Sequence, residues 1–207
     1  DEAVKRLVGP RLGELVPGYR PFMVAVTSKG KRSPLPIKFH QDWTYTDERV
    51  HRPIFLWCPL VDVDERNGAL RMVPGSHTWA SGIRPSRRIE VTEAVQDQLA
   101  ARSIAVPAAA GQAVAFDPAT CHGSSVNTTD TPRPAITIAL APFEAQLVHF
   151  HLSDAGELTG AEVDDAFFTT HPYGTPPTGY RPISPWDRAV TVDDLAHALQ
   201  RSTSGAA

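Results

Sequence analysis

Short apolar runs separated by turn residues dominate the chain, and this pattern predicts a mainly β protein. The run over residues 54–60 is apolar on both faces, which is typical of a buried strand. Asn67-Gly68 predicts a hairpin turn into the run that follows it. Strands are expected over residues 21–27, 37–43, 54–60, 69–73, 111–116, 133–142 and 146–152.

Helical spacing is confined to three parts of the chain. Residues 2–16 carry apolar side chains at near-helical intervals, but Gly9-Pro10 interrupts them, so two short helical turns are expected there. Residues 80–104 form an excursion, a basic loop followed by a helix with Thr92 as its N-cap, and a last short helix is expected from Thr191. Because neither a repeat nor a domain boundary is visible, we predict one jelly-roll-like domain over residues 1–207.

The composition of the chain gives no sign of nucleic acid or a membrane as a binding partner. A net charge of −3 and a pI of about 6.2 give no footprint for nucleic acid or an anionic membrane surface. No apolar run approaches the ~18 residues of a membrane span. The two cysteines, Cys58 and Cys121, are too few for a disulfide framework, so buried inert thiols in a reducing, cytoplasmic setting are expected.

One strand end carries candidate chemistry. His40 and Asp42 are two residues apart and would project from the same face of a strand, where they supply two ligands of a 2-His-1-carboxylate iron site. A third ligand must come from another strand, and His122 has the best context because Gly123 follows it. Arg133 opens a later strand, and its guanidinium is suited to gripping a carboxylate with two hydrogen bonds.

Three motifs in this order carry a family resemblance. They are Phe39-His40-Gln41-Asp42, the run from Asn67-Gly68 to Pro74-Gly75-Ser76-His77, and Cys121-His122-Gly123-Ser124 leading to Arg133. Over roughly residues 20–142 the chain resembles the phytanoyl-CoA dioxygenase family. The resemblance implies a double-stranded β-helix core, cupin-like, with a few flanking helices. It also implies oxidation of an unactivated C–H bond of a small molecule by Fe(II), 2-oxoglutarate and O2, with release of succinate and CO2.

The resemblance also implies roles for single residues. His40, Asp42 and His122 would bind iron, and Arg133 would pair with the C5 carboxylate of 2-oxoglutarate. Ser124 would assist at that carboxylate, and Trp57 and Met23 would form walls of the cosubstrate pocket. The carboxylate of Asp42 favours a hydroxylase over a halogenase, which would have a small residue there. The family has a longer N-terminal portion than the 39 residues before His40, which leaves open whether the chain is part of a longer domain.

The sequence does not identify the substrate. The cluster of Arg84, Arg87 and Arg88 could receive an anionic or carrier-bound substrate, with Arg84 and Arg88 as its contacts, or it could be a solvated basic face. Two further functions stay open, namely a zinc-dependent hydrolase that uses the same His2Asp site and a non-catalytic cupin-like binding protein.

The other histidines have competing interpretations. His149 and His151 share a strand face and, with Glu144, could form a rival metal site of the cupin type. His77 is expected to be a hydrogen-bonded loop residue. Solvated positions are expected for His51, His171 and His197.

Overall fold

The computed structural model describes residues 2–86, 92–172 and 174–204. The α-helices are α1 (Glu2–Leu15), α2 (Glu93–Arg102), α3 (Phe167–Thr170) and α4 (Val192–Ser204). The strands are β1 (Tyr19–Lys29), β2 (Ile37–His40), β3 (Ile54–Pro59), β4 (Leu70–Met72), β5 (Ile104–Val106), β6 (Val114–Phe116), β7 (His122–Ser124), β8 (Arg133–Pro142), β9 (Leu147–Leu152), β10 (Leu158–Val163) and β11 (Arg181–Ile183).

Two four-stranded antiparallel sheets form the core of the protein. One has the order β1-β8-β3-β6 and the other the order β2-β7-β4-β5. Trp57 and Ala135 of the first sheet pack against Leu70 of the second, so the two inner faces share one core. This arrangement confirms the predicted mainly β, double-stranded β-helix fold. A third sheet of order β11-β10-β9 lies outside the pair and contributes Leu147 to an aromatic cluster with the first sheet.

The outer face of the first sheet is covered by α1. Ile138 and Leu140 of β8 pack with Leu12 of the helix because alternate residues of a strand face opposite sides. The expectation of two separate helical turns is wrong, since α1 is one helix with Pro10 inside it. Packing of its apolar stripe onto the sheet compensates for the backbone hydrogen bond that proline cannot donate.

Asn67-Gly68 does not close a hairpin, contrary to expectation. The strands on either side of it, β3 and β4, lie in different sheets, so this turn carries the chain across the core. Gly68 has φ of 90°, and a Cβ there would lie 2.9 Å from the side chain of Lys29. The turn therefore needs glycine both for its backbone conformation and for close packing.

The helices predicted after Thr92 and from Thr191 are present as α2 and α4, and α4 is longer than the short helix expected. Thr92 occupies the N-cap position of α2, but its side chain makes no capping hydrogen bond. Thr191 precedes α4, and its Oγ1 accepts a hydrogen bond from the amide of Asp194, 3.3 Å away. None of the described helices is long and apolar enough to cross a membrane.

Candidate active site

The site begins where β2 and β7 lie side by side. His40, the last residue of β2, is the direct cross-strand partner of His122, the first residue of β7. Their ring centroids are 4.4 Å apart. Gly123 makes this approach possible, because a Cβ on it would lie 2.5 Å from the carbonyl oxygen of Ile37 on β2. Two imidazoles far apart in the sequence are thus held together by one ladder.

Asp42 lies just beyond the end of β2, and its carboxylate faces both imidazoles. Oδ1 is 3.6 Å from Nε2 of His40, and Oδ2 is 3.6 Å from Nε2 of His122. Burial raises the pKa of this carboxyl, but the charge of His122 and the hydrogen bond and charge of His40 outweigh it, so the pKa lies below its ordinary value. The carboxylate is therefore in its ligating form.

Backbone carbonyls orient both imidazole rings in the same way. Nδ1 of His40 lies 2.8 Å from the carbonyl oxygen of Lys38, and Nδ1 of His122 lies 2.9 Å from that of Thr120. A carbonyl can only accept, so each Nδ1 carries a proton, and Nε2 is the ring nitrogen available to a metal. Both Nε2 atoms face the Asp42 carboxylate, and a proton fixed at Nδ1 is the usual arrangement in metal-binding histidines.

His40, Asp42 and His122 are the group with metal-binding geometry among the described residues, and their ligand atoms all lie within 4.8 Å of one another. Two neutral imidazole nitrogens and one carboxylate are the donor set of a facial Fe(II) site. The residues present therefore fit a ferrous ion.

The rival site with Glu144 does not form. Oε1 of Glu144 lies 3.7 Å from Nδ1 of His51, and the described residues contain no metal-binding cluster around His149 and His151. Ring contacts surround His149 instead, at 4.6 Å from Phe167. Burial, followed by the charges of His171 and His151, lowers the pKa of His149 to about 4, so its imidazole is neutral.

The remaining histidines lie away from the metal-binding cluster. His197 is exposed, as expected. His171 is partly buried because it stacks on Phe167 at 4.3 Å, so the expectation of a solvated ring is wrong. His77 is exposed and makes no side-chain hydrogen bond to another described residue, contrary to expectation.

A cavity of about 250 Å³ opens beside the three candidate ligands. Its wall is mainly apolar; Met23 is one of the lining residues and Trp57 is not. The cavity is also lined by Ala25, Thr27, Ile37, Tyr45, Phe55, Leu70, Phe116, Gly123 and Thr137. An apolar wall next to three polar ligands is the usual composition of a small-molecule site.

Arg133 lies beyond one end of this cavity, at the start of β8. It is 2% exposed, its guanidinium carbon lies 5.1 Å above the ring of Trp57, and its Nε has no hydrogen-bond partner. Ser124 of β7 is also buried, and its Oγ likewise has no partner. The strand partners of Arg133 and Ser124 include Lys29 and Leu70 respectively, so both residues face the space between the sheets.

A second buried cation accompanies Arg133. Lys29 is its cross-strand partner and is 7% exposed, with Nζ donating to the carbonyl oxygens of Leu35 and Ser125. Burial, followed by the charge of Arg133, lowers the pKa of Lys29 to about 8. No carboxylate of the described residues forms an ion pair with either cation. Two adjacent buried charges of one sign are unfavourable unless an anion joins them.

Arg84 does not offer a free charge to a substrate, and it is not part of a solvated face either. It is 5% exposed, and its Nη2 donates to Oε1 of Glu48 at 2.5 Å. Its charge is therefore compensated inside the protein. Arg87 and Arg88 lie outside the described residues.

Sequence reasoning missed one residue that supports the ligand strand. Gln96 of α2 bonds both backbone groups of Phe39, with Oε1 accepting from the amide at 2.8 Å and Nε2 donating to the carbonyl at 2.9 Å. β2 is the edge strand of its sheet, so this side chain takes the place of a further strand next to His40. No sequence pattern links a helix residue to that edge.

A family model described as phytanoyl-CoA dioxygenase (PhyH) matches residues 1–135. The epimerase SnoN, in complex with Fe3+, alpha ketoglutarate and nogalamycin RO, is 21% identical with a TM-score of 0.59, over 92% of this chain and 72% of that chain.

Two further solved structures resemble the chain over a shorter part. EvdO2 from Micromonospora carbonacea var. aurantiaca, complexed with 2-oxoglutarate, is 23% identical with a TM-score of 0.54, over 68% of this chain. EvdMO1 is 23% identical with a TM-score of 0.53, over 67% of this chain. The chain spans 64% of EvdO2 and 32% of EvdMO1. At these identities the likeness is one of fold.

Proposed function

The chain belongs to the phytanoyl-CoA dioxygenase family, and on that premise we propose that it is a non-haem iron oxygenase that uses 2-oxoglutarate and O2 to oxidise a C–H bond of a small molecule. One observation carries the proposal. His40, Asp42 and His122 converge with both Nε2 atoms 3.6 Å from the carboxylate, and the uncompensated Arg133 lies beyond the same cavity.

His40, Asp42 and His122 would hold Fe(II), which supplies the activation of O2 when 2-oxoglutarate is bound. The protein's part is to fix a proton at Nδ1 of each imidazole through the Lys38 and Thr120 carbonyls, so that Nε2 of each ring can face the metal. One carboxylate and two imidazoles would leave the remaining coordination positions of the ion open to other ligands.

Arg133 and Ser124 would bind the far carboxylate of 2-oxoglutarate. The guanidinium Nε and the serine Oγ are buried donors without partners, which is the state expected of groups that wait for an anion. Trp57 fixes the guanidinium from one side by stacking, and Lys29 adds a second positive charge. These cations argue against a zinc hydrolase, in which they would have no ligand to compensate them.

Hydroxylation is the outcome that the site favours. Asp42 fills the position that a halide would need, and the apolar wall of Met23, Phe55 and Phe116 keeps water from the reacting carbon. We propose a small-molecule substrate with an apolar portion that lies against this wall. SnoN, whose solved complex contains nogalamycin RO, is one structural relative with such a ligand.

Anaerobic titration of the Fe(II)-loaded protein with 2-oxoglutarate tests the proposal. The expected results are a visible charge-transfer band from chelation of the metal by the 2-oxo acid, and succinate formation on admission of air. Both should be lost in a His40→Ala/His122→Ala double variant and kept in His197→Ala, which removes an exposed histidine elsewhere.

Two outcomes would reject the oxygenase. Wild-type metal affinity in the double variant would mean that the metal binds elsewhere. Metal binding without any interaction with 2-oxoglutarate, together with hydrolase activity of a zinc-loaded sample, would support the hydrolase instead.

A further inference from the structure

Arg84 makes an unusual number of hydrogen bonds to one short segment, residues 42–44. Its Nε donates to the carbonyl oxygen of Asp42 at 2.6 Å, and its Nη2 lies 3.4 Å from that of Trp43. Its backbone amide donates to Oγ1 of Thr44 at 3.0 Å, and its carbonyl accepts from the amide of Thr44 at 2.9 Å. The Arg84 side chain is thus a clamp on the segment that carries the Asp42 carboxylate.

Arg84 binds the chain just beyond the end of β2, where pairing with β7 has stopped. The pairing of β2 with β7 ends at His40, so Asp42 lies outside the ladder. The amide of Asp42 donates instead to the carbonyl oxygen of Pro118 at 2.9 Å, in the segment before His122. Both backbone groups of Asp42 are therefore fixed from outside its own strand, the amide by Pro118 and the carbonyl by Arg84.

Glu48 fixes the clamp in turn. Its Oε1 accepts from Nη2 of Arg84, and the two side chains are only 17% and 6% exposed. A guanidinium has a rigid fork that can bond a carboxylate and two carbonyls at once, which a lysine ammonium cannot reproduce. Burial makes the pair interdependent, because removal of one partner would leave an uncompensated charge.

We infer that Arg84, held by Glu48, is a positioning residue for Asp42 and keeps its carboxylate between the two Nε2 atoms. The inference rests on the proposed metal site and extends it to residues outside the ligand set. Neither residue forms a hydrogen bond with the side chain of a candidate ligand, so the positioning effect would pass through the backbone of residues 42–44, and Arg84→Lys keeps the charge that also lowers the pKa of Asp42. Groups that orient metal ligands from outside typically change metal affinity 10–100-fold when they are replaced.

Arg84→Lys is the decisive variant, because it keeps the charge and removes the fork. Its Kd for Mn(II), measured by calorimetry, should rise at least about tenfold. Glu48→Gln should act in the same direction with a smaller effect. Arg20→Lys is the matched control, since Arg20 forms a partly buried ion pair with Asp165, 2.6 Å away, and has no contact with the 42–44 segment. Its Kd for Mn(II) should stay at the wild-type value.

Hydrogen exchange of the metal-free proteins provides a second readout. In Arg84→Lys the amides of residues 42–44 should exchange faster than in wild type, whereas a peptide from β1 should exchange at the wild-type rate. Unchanged Mn(II) affinity and unchanged exchange in Arg84→Lys would overturn the inference, even with a lowered melting temperature. Loss of Mn(II) affinity in Arg84→Lys but not in His40→Ala/His122→Ala would reject the proposed metal site itself.

Discussion

The three candidate ligands differ in how they are fixed. His40 and His122 are held by the pairing of β2 with β7 and by carbonyls two residues earlier in the chain, so local structure sets both the ring position and the tautomer. Asp42 has no strand partner and depends on Pro118 and Arg84. The carboxylate is therefore the ligand whose placement is most sensitive to residues elsewhere.

Replacement of Arg133 tests the cosubstrate site at the level of one side chain. Arg133→Leu should weaken 2-oxoglutarate binding to the Mn-loaded protein by at least about tenfold, because loss of a charged bidentate contact typically costs ~2–5 kcal/mol. Arg133→Lys should recover part of the affinity, since it restores the charge without the fork. Calorimetry with 2-oxoglutarate measures both, and Mn(II) affinity should remain unchanged.

Arg71→Leu is the control for that experiment. Arg71 lies on β4 in the other sheet, and its Nε donates to Oγ of Ser103 at 2.9 Å, so it has a partner within the protein. This variant should bind 2-oxoglutarate as wild type does. Wild-type affinity in Arg133→Leu would instead place the cosubstrate elsewhere.

At the scale of elements, one side chain of α2 satisfies both backbone groups of Phe39 on β2. Gln96→Leu would leave the buried amide and carbonyl of Phe39 without partners, at a cost of about 2 kcal/mol in the free energy of unfolding. Urea denaturation measures this loss. Gln98→Leu is the matched control, because Gln98 is exposed on the same helix and its replacement should leave stability nearly unchanged. Equal stability of the two variants would show that the Gln96 bonds contribute nothing net.

The elements that the sequence predicted well are those with a long periodic pattern. The strands β1, β3, β8 and β9 and the helices α2 and α4 follow directly from apolar spacing and turn residues. The strands β5 and β7 have three residues each, too few for an alternation of apolar and polar side chains to be recognised. Pro10 led to the prediction of two helical turns where α1 is one helix. Asn67-Gly68 marked a turn correctly, but sequence alone cannot say which sheet the next strand joins.

Only those site residues could be predicted whose role follows from residue type and local spacing. His40, Asp42 and His122 could be proposed from spacing and motif, and the structure brings them together. Glu48, Gln96 and the clamp role of Arg84 depend on contacts between distant segments, which no local pattern reveals. Lys29 was missed because the predicted strand stopped at Thr27, two residues short of the actual end of β1.

At the scale of the whole molecule, burial of Lys29 next to Arg133 should make the free energy of unfolding depend on pH. The pKa of Lys29 is about 8 in the folded protein against an ordinary value of 10.5. Between these values the unfolded chain binds more protons, so the Lys29 contribution to the free energy of unfolding should rise with pH by on the order of 3 kcal/mol. This rise should be absent in Lys29→Met.

The free energies of unfolding of wild type and Lys29→Met are measured by urea denaturation from pH 7.5 to 10, and the difference between the two proteins is compared across pH. Comparison is needed because buried Cys121, whose pKa is raised to about 12 by burial, contributes with the opposite sign in both proteins. The stability difference between Lys29→Met and wild type should therefore shrink as pH rises. A difference that is constant with pH would mean that Lys29 does not titrate in this range.

Because Arg133 and Lys29 lack an anionic partner among the described residues, the protein's resistance to degradation should depend on the concentration of an anionic ligand. A ligand that binds only the folded state at 100 times its Kd adds about 2.7 kcal/mol of stability. A dicarboxylate that joins Arg133 and Lys29 would act in this way and reduce the fraction of molecules open to proteases. The cosubstrate would then serve as a folding partner as well as a reagent, and a shortage of it would hasten the degradation of the protein that consumes it.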